Sequence, residues 1–160
     1  MTSDPHVRYM QMAIRQAVDA MEEEEVPTGC VIVRRPPGGG PARVIGQAHN
    51  QVETLKDPTA HAEILAITQA AAALGDWRLT DTVLYVTKEP CAMCAGAIVL
   101  ARIPLVVFGA PDPKRGGAVS VFNILNHPQL NHRCEVIQGV MESDCRTLLQ
   151  EFFRARREEA

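Results

Sequence analysis

Thr82-Val83-Leu84-Tyr85-Val86-Thr87, then Lys88-Glu89-Pro90, then Cys91-Ala92-Met93-Cys94: an apolar run passes through a proline into two cysteines three residues apart. The run is rich in β-branched and aromatic residues and reads as a strand. The stretch from Pro90 to about Ala101 reads as a helix. Proline suits the first helical position, where its missing N–H leaves nothing unpaired. Cys91 and Cys94 then share one face of the first turn, and the positive end of the helix favours their thiolate forms. Upstream, Asp57-Pro58-Thr59-Ala60-His61-Ala62-Glu63 opens a second helical pattern over 59–75, with Gly75 to end it. That reading puts His61 and Glu63 in a first turn too, so two helix starts converge. One imidazole and two thiolates suffice to hold a zinc ion and leave its fourth position open to water. Glu63 is not needed as a ligand and is free to move protons, and an acidified water beside a proton carrier makes a hydrolytic centre.

Two other uses of a Cys-x-x-Cys pair fit less well. A redox dithiol follows a thioredoxin-like pattern and has no need of His-x-Glu. A structural zinc site requires a fourth protein ligand, and the sequence has no second Cys-x-x-Cys or histidine pair. His6, His49, His127, His132, Cys30, Cys134 and Cys145 are singletons, read as packing or surface residues.

Outward from this centre, helical and strand periods alternate. Residues 6–25 read as an amphipathic helix with Met10, Ala13, Ile14, Ala17, Val18 and Met21 on one stripe, and Asp4-Pro5 as its start. Cys30 to Arg34 and Arg43 to Ala48 read as an antiparallel hairpin around a loop of prolines and glycines at 35–41. Leu105 to Phe108 and Glu135 to Gly139 are further strands, and Met141 to Arg157 a last helix. No repeat or linker interrupts the pattern, so residues 1–160 are expected to form one domain. The alternation implies a three-layer α/β/α architecture with its site at the carboxyl ends of strands.

Composition agrees. The chain has 160 residues, 46% of them hydrophobic, enough for one full core but with no run long enough to span a membrane. No apolar leader opens it, and five cysteines form no disulfide framework, which points to the cytoplasm. Net charge is −3, an argument against a nucleic-acid partner, yet the distribution softens it. The run Glu22-Glu23-Glu24-Glu25 lies in the acidic first part, while Lys114-Arg115 and Arg154, Arg156 and Arg157 gather late. From charge alone these are ordinary solvated groups.

His-x-Glu with Pro-Cys-x-x-Cys is the signature of zinc-dependent nucleobase deaminases. Beyond it, the chain resembles the bacterial tRNA adenosine deaminases of the TadA type over nearly its whole length. The resemblance runs through Glu25-Val26-Pro27, Asp57-Pro58-Thr59-Ala60-His61-Ala62-Glu63-Ile64 and Leu84-Tyr85-Val86-Thr87. It continues in Glu89-Pro90-Cys91-Ala92-Met93-Cys94-Ala95-Gly96-Ala97 and Val107-Phe108-Gly109-Ala110. Asn131-His132-Arg133 and Phe152-Phe153-Arg154-Ala155-Arg156-Arg157 narrow it from the superfamily to this family. The resemblance implies the cytidine-deaminase-like fold with a central five-stranded mixed sheet, one zinc per subunit on His61, Cys91 and Cys94, and Glu63 as catalytic proton carrier. It further implies a homodimer acting on a tRNA anticodon stem-loop, turning the wobble adenosine into inosine with release of ammonia. Asn50 resembles the residue whose amide reads the flipped base, and Ala62 belongs to the same contact set. Asp112 is expected to meet a ribose hydroxyl, Lys114 and Arg115 and the C-terminal Arg154, Arg156 and Arg157 the phosphates, and Phe153 a base. The rival is a free guanine, cytosine or nucleoside deaminase with the same zinc chemistry, which needs no basic C-terminal helix. Thr28, Cys30, Lys88, Pro111 and Pro113 depart from the family pattern, as does the long 35–41 loop. Thr28 and Lys88 are expected near the entrance of the site.

Overall fold

The computed structural model of the chain describes residues 4–159. The Asp4 carboxylate accepts the His6 N–H at 2.9 Å and Pro5 takes the first position, so helix α1 runs Pro5–Glu22. It stops short of residue 25 because Glu24 turns left-handed, at φ 62°, and the Glu25 N–H bonds back to the Ala20 carbonyl at 2.9 Å. Met10, Ala13 and Ala17 are buried as the spacing predicts, but Val18 is exposed and Tyr9 and Ala20 are buried instead. The buried arc is rotated toward Tyr9, whose ring stacks at 5.3 Å on Tyr85 of the sheet.

Strands β1 (Gly29–Arg34) and β2 (Arg43–His49) form the expected antiparallel hairpin, with Gly29 opposite His49 and an irregularity between Ile32 and Val33. After it comes a short helix, α2 (Val52–Leu55), that the sequence did not suggest. Then come α3 (Ala62–Leu74), β3 (Thr82–Lys88), α4 (Ala92–Leu100), β4 (Leu105–Ala110), β5 (Glu135–Gln138) and α5 (Glu142–Glu159). The sheet order is β2-β1-β3-β4-β5, with β1 antiparallel to both neighbours and β3, β4 and β5 parallel, a five-stranded mixed sheet.

Helices cover both faces, which is why the strands are apolar almost without alternation. Cys30, Ile32, Leu84, Val86 and Val106 face α3 and α4, while Val31, Val33, Val83, Tyr85 and Val107 face α1 and α5. Each fully buried side chain such as Leu84 or Ile98 contributes ~1.5–3 kcal/mol of burial. Along α3, Ala62, Ala66 and Ala70 form the contact row, small enough to bring the helix close to the sheet. The three-layer α/β/α reading therefore holds.

Both helix starts at the centre of interest begin later than expected. Pro90 is not the first helical residue: Cys91 is the N-cap, extended at φ −72° and ψ 176°, and α4 begins at Ala92. The loop at 116–117 holds that stretch extended, through a bridge between Cys91 and Gly116 and a 2.7 Å bond from the Gly117 N–H to the Pro90 carbonyl. Likewise His61 is the N-cap of α3. Asp57-Pro58-Thr59 makes a separate turn in which the Asp57 carboxylate accepts the N–H and hydroxyl of Thr59, at 2.8 and 2.7 Å. Gly75 ends α3 as expected, at φ 67°. The carboxyl ends of β2, β3 and β4 and the amino end of β1 open on the same edge, where these two caps meet.

Candidate metal centre and its cavity

An N-cap residue is extended while the helix behind it is rigid, so its side chain is carried clear of the helix yet held in place. His61 and Cys91 occupy two such positions, and Cys94 lies one turn into α4. His61 Nδ1 stands 3.6 Å from Cys91 Sγ and 3.5 Å from Cys94 Sγ, and the three donor atoms all lie within 4.8 Å of one another. A metal bonded to sulfur at about 2.3 Å and to nitrogen at about 2.0–2.1 Å with tetrahedral angles sets N and S about 3.6 Å apart. The geometry fits. Among the described residues, this is the single group of His, Cys, Asp and Glu side chains close enough to share an ion.

The electrostatics also call for a cation. Hydrogen bonds from Cys94 and His61 push Cys91 down to about 3 against the opposing cost of burial. Pairing with Cys91 and burial push Cys94 up. The Cys91 bond in turn raises His61. Two thiols and an imidazole so placed accept one negative charge readily and resist the second, and a divalent ion removes that conflict.

Glu63, the second residue of α3 and two after His61, is 3% exposed, and burial pushes its carboxyl up from the usual range. Cys91 adds to the rise, while the Glu63 N–H, His61 and Lys88 oppose it. A carboxyl raised in this way takes and returns protons at moderate pH.

These residues line a cavity of about 430 Å³, large enough for a nucleoside. Asn50, Ala62, Asp112 and Phe153 stand on its walls beside His61, Glu63 and Cys91. Of the basic residues expected as phosphate contacts, Arg115 and Arg156 line the cavity, and Lys114, Arg154 and Arg157 lie outside its lining. On α5, Phe152 is buried and Phe153 exposed, with rings edge to face at 5.3 Å. Arg156 stacks on Phe152 at 4.7 Å and donates to the Glu24 carbonyl at 2.7 Å, tying the last helix to the end of α1. Asp112 differs from expectation in another way: both its oxygens are engaged. Oδ1 accepts the N–H groups of Lys114 and Arg115 at 3.1 and 3.2 Å, and Oδ2 pairs with the Lys88 ammonium at 3.4 Å. Thr28 and Lys88 do line the cavity.

Two wall residues were not singled out from sequence. Glu89, 1% exposed, accepts the N–H groups of Asp112, Ala118, Val119 and Ser120 at 2.8–3.2 Å and the Ser120 hydroxyl at 2.5 Å. Burial pushes its carboxyl up, but these bonds outweigh it and the net shift is downward. A Cβ on Gly116 would strike that carboxylate, so glycine is required there. Glu25, inside the acidic run read as solvated, is also 1% exposed and accepts the Glu53 N–H and the Thr54 N–H and hydroxyl, at 3.1, 2.6 and 2.7 Å. Those bonds anchor the start of α2, beside Asn50. The remaining cysteines behave as packing: Cys30, Cys134 and Cys145 are free and buried.

Against known proteins, the model of the MafB19-like deaminase family matches residues 4–157. The tRNA-specific adenosine deaminase of Bacillus subtilis (strain 168) is 48% identical over 149 residues, 93% of this chain and 89% of that protein. The tRNA-specific adenosine deaminase of Streptococcus pyogenes serotype M18 is 46% identical over 150 residues, 94% of this chain and 91% of that protein. A structure solved in a study of A-to-I editing by tRNA:A34 deaminases at the wobble position of transfer RNA superposes with a TM-score of 0.81, at 42% identity. It covers 89% of this chain and 99% of its own.

Proposed function

The chain belongs to the tRNA-specific adenosine deaminase family, and from that premise we propose that it hydrolyses the wobble adenosine of a tRNA anticodon to inosine, releasing ammonia. The observation that carries the reading is the placement of Glu63 on the wall of one cavity with a three-donor centre that leaves a fourth position open. Two thiolates and an imidazole favour zinc over harder ions. When bound, zinc supplies a water acidified toward a pKa of about 7.

The chain's own residues do the rest. Glu63 takes a proton from the water and delivers it to the ring nitrogen beside the amine-bearing carbon. That carbon becomes electrophilic and the water oxygen adds to it. Glu63 then takes the second proton, from the newly added hydroxyl, and passes it to the amine, which leaves as ammonia while that oxygen becomes the carbonyl of inosine. One carboxyl acts as base and acid in turn, which its burial-raised pKa suits. Asn50, 8% exposed on the wall, offers a donor and an acceptor to the purine edge. Ala62 keeps the floor small enough for the ring, and Phe153 presents an exposed aromatic face at the rim. A stacked base does not reach so recessed a centre, so the target nucleotide is splayed out of the loop.

We read residues 1–160 as one catalytic domain that works as a homodimer in the cytoplasm, where its tRNA substrate is found. Supporting a partner subunit, Leu100 at the end of α4 is 70% exposed although Ala95, Ile98 and Val99 face the core, and Val121 and Phe122 are exposed too. Among the described residues no helix is long and apolar enough to cross a membrane. The test is incubation with an anticodon stem-loop bearing a wobble adenosine, with free adenosine and with free guanine. Inosine in the RNA alone is the expected result. Deamination of a free base or nucleoside with none in the RNA would overturn the reading in favour of a small-molecule deaminase.

A further inference from the structure

The cavity that holds Glu63 is lined by six carboxylates, Glu24, Glu25, Glu53, Glu63, Glu89 and Asp112, and by three permanent cations, Lys88, Arg115 and Arg156. A polyanion entering such a cavity needs a cation placed where it binds. Arg115 and Arg156 are exposed at the rim, where Arg156 gives one of its N–H groups to the Glu24 carbonyl and both are left to meet phosphates further out. Lys88 is the cation held inward, its side chain 27% exposed.

It is also the best fixed. Lys88 ends β3 opposite Ala110 of β4, and Glu89 next to it is anchored by its five bonds, so the backbone has little freedom. Asp112, 13% exposed, is locked by the turn it caps and directs its second oxygen at the ammonium. An ammonium carries three N–H donors, and Asp112 takes one direction only. Lys88 lines the same cavity as Glu63 and His61. A neutral base or nucleoside offers such a charge only uncharged acceptors. A nucleotide within a strand does, because its flanking phosphodiester accompanies the base to the cavity mouth.

We propose that Lys88 is a specificity-determining residue: its ammonium, aimed by Asp112, takes a phosphodiester oxygen flanking the nucleotide whose base enters the cavity. This rests on the RNA reading above and adds, at a position where this chain departs from the family pattern, a contact that favours a strand over a free nucleoside. A contact formed on binding and kept in the transition state acts mainly on KM.

The experiment is a substrate–enzyme cycle. Native chain and Lys88→Met, each zinc-loaded, are assayed on a stem-loop RNA with normal linkages and with a neutral methylphosphonate placed 5′ or 3′ of the target adenosine. The native chain is expected to lose about tenfold in kcat/KM at one of the two linkages, the factor that ~1.4 kcal/mol of binding represents. Lys88→Met is expected to show that loss on the unmodified RNA and no further loss on the neutralised one. If Lys88 merely shapes the loop, its replacement lowers all three rates and leaves the native and variant sensitivities to neutralisation equal. That result, or a native chain indifferent to both linkages, would overturn the proposal while the RNA reading stands. No inosine in the unmodified RNA with the native chain would overturn both.

Discussion

Replacing Glu89 by Gln changes one atom and tests what holds the cavity together. Glu89 Oε2 accepts three backbone N–H groups, from Ala118, Val119 and Ser120, and Oε1 accepts the Asp112 N–H and the Ser120 hydroxyl. An amide has one acceptor oxygen, and the three N–H groups claim it. The new NH₂ then faces Asp112 and Ser120. The Ser120 hydroxyl turns and accepts, but the Asp112 N–H has no partner left, and a stranded buried donor costs about 1–3 kcal/mol. The three bonds that stay lose their charge assistance, roughly 1 kcal/mol or less each. The total, about 1–6 kcal/mol with its middle near ~3.5 kcal/mol, is a large part of the ~5–15 kcal/mol that stabilises a domain. In a thermal melt followed by circular dichroism this is a fall on the order of 10 °C for a chain of this size. The loop carrying Asp112 and Arg115 loosens first, so KM for the stem-loop rises at temperatures where zinc content is unchanged. A melt within ~1 kcal/mol of native, the ordinary effect of a surface change, refutes the account.

Glu63→Gln keeps the shape of the cavity and loses the proton carrier; turnover falls by at least ~10²–10⁴-fold while zinc content and melting stay near native, and a near-native rate removes Glu63 from the mechanism. Cys91→Ser and Cys94→Ser lower zinc stoichiometry, because a hydroxyl is a poor replacement for a thiolate, whereas Cys30→Ser, Cys134→Ser and Cys145→Ser keep it. Metal analysis of the five variants decides this, and zinc loss in a folded Cys134 or Cys145 variant breaks the three-donor assignment. Arg156→Ala raises KM for the stem-loop and flattens its salt dependence by about one counterion, while Arg154→Ala, outside the cavity lining, does less; equal effects of the two would contradict this placement. For Glu25, burial pushes the carboxyl up and the Thr54 and Glu53 bonds outweigh that, leaving it below the ordinary 4.5. A depressed pKa stabilises the fold above the unfolded value and ceases to do so as pH falls through the folded one. Urea midpoints of native chain and Glu25→Gln should therefore differ most above pH 4.5 and converge below it; a pH-independent gap would show that the charge plays no part.

What the sequence revealed of this site has a common property: short range. His61 and Glu63 are two residues apart and Cys91 and Cys94 three, so each pair shares a helix start whatever the rest of the chain does. The strands were legible because β-branched residues crowd them, and the turn at Gly75 because its positive φ favours glycine. Glu89 and Glu25 were invisible for the opposite reason. Their partners are backbone N–H groups and hydroxyls between 23 and 31 residues away, and every residue but proline has such an N–H. Pro90 misled for a related cause: its local preference for a helix start lost to a long-range bond from Gly117. The basic residues were legible as two clusters, Lys114-Arg115 and Arg154, Arg156 and Arg157, but not which members line the cavity. That depends on the turn at 112–115 and on the rotation of α5 against the site, which composition does not carry.

The two hidden carboxylates explain how an acid-lined cavity serves an anionic substrate. Glu25 and Glu89 both line the cavity, one anchoring α2 beside Asn50, the other anchoring the loop that bears Asp112. Each spends its charge on N–H donors, so little of it is felt in the cavity. The walls are stiff without being apolar, and they stay wet enough for a nucleotide. Asp112 is the same device one step further out, balanced by Lys88. What remains to meet the substrate is Glu63 at the floor, with the exposed Glu24 and Glu53 and the cations Arg115 and Arg156 further out, an order of charges that draws a phosphodiester as far as Lys88 and leaves the base alone to reach the metal centre.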